Sequence, residues 1–374
     1  MKKALLLLED GTFFYGRAFA ADGEVFGELV FNTSTTGYEE VLTDPSYAGQ
    51  IVIMTYPEIG IYGINDEDAE SDSAKVTGLV IYRSVQRYFN QRANKSLGEY
   101  LKTNGVIGIE GIDTRSLTKK IRNRGTAMGA VSTENMDPDS LREKLRNVIE
   151  INKTDLVSKV SSEVVWNYKK EGKVRIAIVD CGCKKGILRE LEKFDVAITV
   201  VPYDIGFEEI EKLNPDGVMI SNGPGDPSIL IRTVELIKHI LKKRIPLAGI
   251  CLGHQLLALA IGAKTYKMKF GHRGINHPVK DLRSKRVLIT THNHGFAVDP
   301  ESLNINADTL IGISKEGFGR VEITHLSLND MTVEGIRLLD YPAFSVQFHP
   351  EASPGPHDSK SFFEDFLKLI ISGR

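Results

Sequence analysis

Cysteine is scarce in this chain of 374 residues, with only three, at positions 181, 183 and 251. That supplies no disulfide framework. With no second cysteine pair and no H-E-x-x-H, the familiar zinc spacings are missing too, and Cys181-Gly182-Cys183 reads as a strand-end turn. No apolar run approaches the ~18 residues that span a bilayer, so no membrane segment is expected. Charge of one sign is also lacking: the net charge is −2 and Lys and Arg are dispersed, leaving no basic field for nucleic acid or anionic lipid. G-x-x-x-x-G-K-[ST] does not occur, so no phosphate-cradling loop is anticipated. There is no internal repeat and no low-complexity tract. The apolar opening Ala4-Leu5-Leu6-Leu7-Leu8 stops at Glu9-Asp10 without a small-residue cleavage site, and it reads as a first β-strand rather than a signal peptide. What remains is the profile of a globular protein of about two domains, expected in a reducing cytoplasm and acting on small polar substrates or with a protein partner.

The pattern divides the chain into an N-terminal domain over 1–150, a polar connector over 151–172 and a second domain over 173–374. Short β-like runs dominate the first part. A hairpin turning at Asp10-Gly11 is followed by strands near 28–32, 50–55 and 76–82. Helices are expected from Ser96, from Asp113 to a stop at Gly125, and from Asp137-Pro138. After Lys173, near-continuous apolar strands alternate with amphipathic helices: 174–179, 196–201, 217–220, 246–250, 287–290 and 344–348. Strands apolar on both faces belong to a parallel sheet covered by helices. The fold class is therefore α/β: a mixed β/α domain, then an open, mostly parallel α/β sheet whose strand C-terminal ends build the site.

The sharpest local signal is Gly249-Ile250-Cys251-Leu252-Gly253-His254, where a strand-forming run gives way to a helix-forming one. G-x-C-x-G at such a junction is a nucleophile elbow. Its middle residue is forced into a strained conformation, and its glycines let strand and helix pack closely. The sulphur is then held at a helix N-terminus, whose free N–H groups favour an anion. A thiol nucleophile needs a base and an orienting acceptor. His349 leaves the strand 344–348 at the edge where the elbow lies, with Glu351 close enough to accept from the ring nitrogen that faces away from sulphur. His254 begins the elbow helix, and a structural role suits it better. Leu252 N–H supplies one oxyanion donor, and the glycine-rich Ser221-Asn222-Gly223-Pro224-Gly225-Asp226-Pro227 could supply a second. Thr291-His292-Asn293-His294-Gly295-Phe296 is expected to follow another strand, and it mixes side-chain and backbone donors. A metal reading of its two histidines lacks a third ligand at familiar spacing.

S-N-G-P-G-D-P, G-I-C-L-G-H-Q and H-P-E, in this order, resemble the class I (triad) glutamine amidotransferases. Further segments narrow the resemblance: Phe31 to Glu40, Leu42 to Tyr47, Lys269 to His272, Asn293 to Phe296 and Glu351 to Pro356. Together they look like the small, glutamine-hydrolysing subunit family of carbamoyl-phosphate synthases, nearly end to end. The resemblance implies that Cys251 attacks the side-chain amide of L-glutamine, that His349 moves the proton and that Glu351 supports the imidazolium. It also implies that Gly223 and Leu252 N–H groups hold the oxyanion, while Ser46, Gly225, Gln255, Asn293, Gly295 and Phe296 hold the substrate, with Ser46 reaching a site at the domain junction. Ammonia would pass to a large subunit that uses ATP, magnesium and bicarbonate, for arginine or pyrimidine synthesis or both. No metal and no cofactor is implied in this chain. Gly186 stands where Asn is expected in many relatives, and His292 where Gln is common. Two other readings stay open: a free-standing cysteine hydrolase on the same sheet, and a regulatory subunit that has lost the reaction.

Overall fold

The computed structural model describes residues 2–151, 154–306 and 308–373 and divides into two compact units, 1–154 and 155–374. In the first, seven strands close into a barrel in the order Lys3–Leu8, Phe13–Ala18, Ile107–Glu110, Gly78–Val80, Gln50–Met54, Glu24–Asn32 and Ala127–Ser132. The hairpin turns at Gly11, whose φ of 84° suits glycine, and pairs Leu7 with Phe13. Helix signals translate directly into structure. Ser96 forms a capping box with Glu99 ahead of Leu97–Thr103, and Asp113 caps Thr114–Arg124, which stops at Gly125. Closure of the barrel was not apparent in the short β-runs, because it depends on pairings between strands far apart in sequence.

The second unit is built on an eleven-stranded sheet. Five neighbouring strands are parallel: Val196–Pro202, Val174–Asp180, Gly217–Ile220, Leu247–Ile250 and Ala343–Val346. Their alternating side chains feed two cores. Ala177, Val179, Val218 and Leu247 pack with Leu236, Ile240, Leu256 and Leu257 on one face, and Ile176, Ile178, Met219 and Ala248 pack with Ile187, Leu191, Phe363 and Phe366 on the other. Each such large side chain contributes roughly 1.5–3 kcal/mol on burial. This explains why both faces of these strands are apolar.

Two features depart from the expected layout. Part of the expected connector, residues 152–153, lies outside the described residues. Further along it, Trp166–Lys169 is an antiparallel strand paired with Val196–Pro202, so this polar stretch caps the edge of the sheet instead of running free. The sheet also continues past Ala343–Val346 into an antiparallel lobe made by Val333–Leu338, Val287–Asp299, Lys264–Asp281, Arg320–Ser327 and Ile311–Ile313. Thr291 to Phe296 accordingly sits within the long strand Val287–Asp299, and not in a loop after it.

Candidate active site

The strand Leu247–Ile250 meets the helix Leu252–Ala260 at Cys251, whose φ of 53° and ψ of −100° are strained for any residue with a side chain. Such a conformation costs about 1–3 kcal/mol and persists because its surroundings over-determine it. Cys251 N–H donates to Val346 O at 2.9 Å, and Gly253 N–H donates to Ser221 O at 3.1 Å. The two elbow glycines are there for space. A Cβ on Gly249 would come 2.6 Å from Gly253 O, and one on Gly253 would come 2.3 Å from Ile220 O. Gly253→Ala should therefore cost about 1–3 kcal/mol by overpacking against backbone that cannot yield. Thermal melts of the variant check this, and an unchanged melting temperature would show that the elbow has slack.

His349 N–H donates to Thr291 O at 2.9 Å, which fixes the histidine backbone against the long strand of the antiparallel lobe. His349 Nδ1 lies 2.6 Å from Glu351 Oε1, and both side chains are buried. That leaves Nε2 as the nitrogen available to sulphur. It makes no well-aligned hydrogen bond, yet Cys251 is close enough to act on the charge of the ring. Burial opposes the imidazolium, but the neighbouring Glu351 carboxylate and Cys251 outweigh burial and raise the pKa of His349 to about 10. Glu351 moves the other way: burial opposes its charge, but Lys184 and His349 hold it well below the usual carboxylate range.

The signs follow. A raised histidine pKa contributes stability that is fully present below about pH 6.5, the unfolded value, and is lost as pH rises through about 10. The depressed Glu351 contributes stability above the ordinary value of 4.5, lost as pH falls through its folded value. The melting-temperature advantage of the wild type over His349→Asn should therefore shrink steadily between pH 6.5 and 10. A gap that is constant across this window would contradict the assignment of the charge to His349.

Lys184 was not singled out by sequence. Its Nζ donates to Glu351 Oε1 at 2.9 Å and to Ser353 O at 2.7 Å, with only 3% of its side chain exposed. Gln347 was missed as well. Its Nε2 faces Cys251 Sγ at 3.6 Å, and its Oε1 accepts from Gln255 Nε2 at 3.1 Å. Alternation along the strand end, in which Ser345 and Gln347 are polar between apolar neighbours, was the signal available for Gln347.

The other expected residues distribute as follows. Gly223 is packed against the elbow: a Cβ there would meet Cys181 O at 2.1 Å and Leu252 Cδ2 at 2.8 Å. The Gly223 and Leu252 N–H groups have no partner among the described residues, as two oxyanion donors require. Gly225 adopts φ 89° in the same loop. Asn293 O lies 3.7 Å from Cys251 Sγ. Gln255 Nε2 donates to Phe296 O at 2.9 Å, which ties the elbow helix to the strand that carries Asn293, Gly295 and Phe296. Ser46 belongs to the first unit, buried in the turn Pro45–Tyr47, where its N–H donates to Asp44 Oδ1 at 2.9 Å. His254 is buried on Ser345 Oγ at 2.9 Å, and burial lowers its pKa to about 3, which suits a structural group. At Cys181-Gly182-Cys183, Asp180 Oδ1 accepts from the N–H groups of Gly182 and Cys183, forming a turn. A cleft of about 690 Å³ elsewhere in this unit, lined in part by Arg283, Arg337 and Phe362, contains none of the triad residues.

A parallel sheet with a cysteine elbow, a histidine–glutamate pair at the next strand end and two free N–H donors defines a class I glutamine amidotransferase, and residues 177–369 match the family model "Glutamine amidotransferase class-I". Residues 6–131 match a second model, "Carbamoyl-phosphate synthase small chain, CPSase domain". Proteins named carbamoyl phosphate synthase small chain are similar over almost their whole length. That of Thermotoga maritima is 59% identical, covering 99% of this chain and 98% of that one. Those of Aquifex aeolicus and Archaeoglobus fulgidus are 50% and 49% identical, each over 98% of this chain and 99% of theirs. The chain belongs to the carbamoyl-phosphate synthase small-chain family.

Proposed function

We propose that this chain is the glutamine-hydrolysing subunit of a carbamoyl-phosphate synthase and that Cys251, His349 and Glu351 perform the hydrolysis. The observation that carries this reading is the buried His349–Glu351 pair at 2.6 Å, set beside a thiol in a strained elbow. Cys251 sulphur attacks the side-chain amide carbon of glutamine, and the developing oxyanion is met by the Gly223 and Leu252 N–H groups. His349 Nε2–H protonates the departing nitrogen, ammonia leaves and a glutamyl thioester remains. His349 then takes a proton from water, the hydroxide so formed attacks the thioester, and glutamate and the free sulphur are released. Glu351 holds the imidazole in register, and Lys184 holds Glu351. Ser46, Gly225, Gln255, Asn293, Gly295 and Phe296 bind the substrate.

Ammonia goes to a large synthetase subunit in the cytoplasm, and ATP and magnesium are used there. Carbamoyl phosphate feeds arginine synthesis, pyrimidine synthesis or both. Among the described residues no helix is long and apolar enough to cross a membrane. Co-purification with the large chain, followed by a glutaminase assay with and without it, tests partner and reaction together. Glutamate release that is raised by the large chain and coupled to carbamoyl phosphate supports the proposal. Equal hydrolysis with and without it, or action on γ-glutamyl peptides instead, would favour a free-standing hydrolase.

A further inference from the structure

The second unit contains another buried polar cluster besides the triad. His272 on the strand Lys264–Asp281, His292 and His294 on Val287–Asp299 and Glu334 on Val333–Leu338 each present one nitrogen or oxygen inward, all within 4.8 Å of one another. All four side chains are buried. The sequence showed only two of them, because the other two arrive from neighbouring strands.

The outer partners of the rings fix which atoms face inward. His294 Nδ1 lies 2.9 Å from Phe296 O, and a carbonyl only accepts, so Nδ1 carries the proton and Nε2 is a bare lone pair. Thr290 Oγ1 donates to His277 O at 2.9 Å and so accepts from His292 Nε2 at 2.7 Å. His292 Nδ1 is therefore bare as well. His272 Nε2 donates to Asp330 Oδ2 at 2.8 Å, which in the neutral ring leaves its Nδ1 bare.

Electron-rich atoms are thus aimed at one another. His292 Nδ1 and His294 Nε2 are 3.1 Å apart, and His272 Nδ1 is 3.4 Å from Glu334 Oε1. Glu334 Oε2 is 3.7 Å from His292 Nδ1, and Oε1 is 3.9 Å from His294 Nε2. His272 Nδ1 and Glu334 Oε2 have no hydrogen-bond partner. Burying such groups unmatched is costly, and native interiors avoid it. A cation at their centre converts the conflict into bonds. A tetrahedral ion with Zn–N bonds of ~2.0–2.1 Å sets its ligand atoms about 3.3 Å apart, close to the 3.1 and 3.4 Å pairs, and the wider pairs, within 4.8 Å, would draw in around it. Three imidazoles and a carboxylate suit zinc, and rings whose far nitrogens are held by carboxylate, carbonyl and hydroxyl have the outer bonds that orient metal ligands.

We propose that His272, His292, His294 and Glu334 form a structural zinc site. Four protein ligands close the coordination sphere and leave no position for water or substrate, so the ion supports structure. It joins three strands of the antiparallel lobe. His292 and His294 flank Asn293, and His294 Nδ1 holds the same Phe296 carbonyl that receives Gln255. The ion therefore stiffens the backbone that presents Asn293, Gly295 and Phe296.

The test is elemental analysis of the full-length chain produced with zinc in the medium, followed by chelation and re-addition of Zn²⁺ under thermal melting. One equivalent of zinc, a lower melting temperature after stripping and recovery with Zn²⁺ are expected. Glu334→Gln and His292→Gln, which keep side-chain size, should each lose the equivalent. Cobalt(II) loading of the stripped wild type should give the visible absorption of a tetrahedral site. A folded, zinc-free wild type whose melting ignores Zn²⁺ and whose cobalt spectrum stays octahedral would overturn the proposal and leave a protonated His272 bridging Asp330 and Glu334. Metal retained in full by both variants would place the ion elsewhere and overturn it equally.

Discussion

Cys251→Ser in the complex with the large chain should lose glutamine-dependent carbamoyl phosphate synthesis by a factor on the order of 10⁴–10⁶, the usual cost of removing a triad nucleophile. Ammonia-dependent synthesis should persist. The substitution is close to isosteric and leaves the backbone contacts of the elbow intact, since Cys251 N–H donates to Val346 O and Gly253 N–H to Ser221 O regardless of the side chain. Parallel assays with glutamine and with ammonium salts check it. A variant that still hydrolyses glutamine at the wild-type rate would show that another residue attacks. If both activities are lost, the elbow also supports the large chain.

Lys184→Met should destabilise the second unit by roughly 3 kcal/mol, at the lower end of the range for removing one member of a buried ion pair. The lower end applies because Glu351 keeps His349 as a partner at 2.6 Å. The Ser353 carbonyl also loses its donor. Without Lys184, its main cationic neighbour, Glu351 should rise toward the ordinary carboxylate value, and its grip on the imidazole should weaken at mildly acid pH. Glutamine-dependent kcat/KM should therefore fall with a steeper acid limb than in the wild type. The double variant Lys184→Met/Glu351→Gln should be more stable than the sum of the two single losses predicts, since neither the Lys184 ammonium nor the Glu351 carboxylate is then left without the other. Strict additivity in denaturant melts would mean that the 2.9 Å contact carries no coupling.

Features encoded within a few residues of sequence were readable in advance. The elbow, the helix beginning at Ser96 and the Asp113-to-Gly125 helix each rest on short-range chemistry, and so do the apolar strands of the parallel core. Long-range features were not readable. Lys184 meets a carboxylate 167 positions away, and nothing near Lys184 distinguishes it from a surface lysine in the run Lys184-Lys185. The antiparallel lobe was largely missed for a different reason. Its strands Lys264–Asp281 and Val287–Asp299 carry lysines, histidines and threonines, and their pairing is interrupted by irregularities near His272 and His277 that blur the two-residue period. The strand status of Thr291 to Phe296 was obscured in the same way, and with it the convergence of His292 and His294 on Glu334. Barrel closure in the first unit joins Phe13–Ala18 to Ile107–Glu110, a contact that no local pattern announces.

A covalent bond between Cys251 and the glutamine carbonyl carbon is the central step of the proposed hydrolysis. Acid quenching of the complex during turnover of isotopically labelled glutamine, followed by peptide mapping by mass spectrometry, observes that bond directly. A glutamyl adduct confined to the peptide containing Cys251, more abundant in wild type than in His349→Asn, is the predicted result. Glutamate released at full rate with no adduct on that peptide, or with the label on another residue, would contradict it.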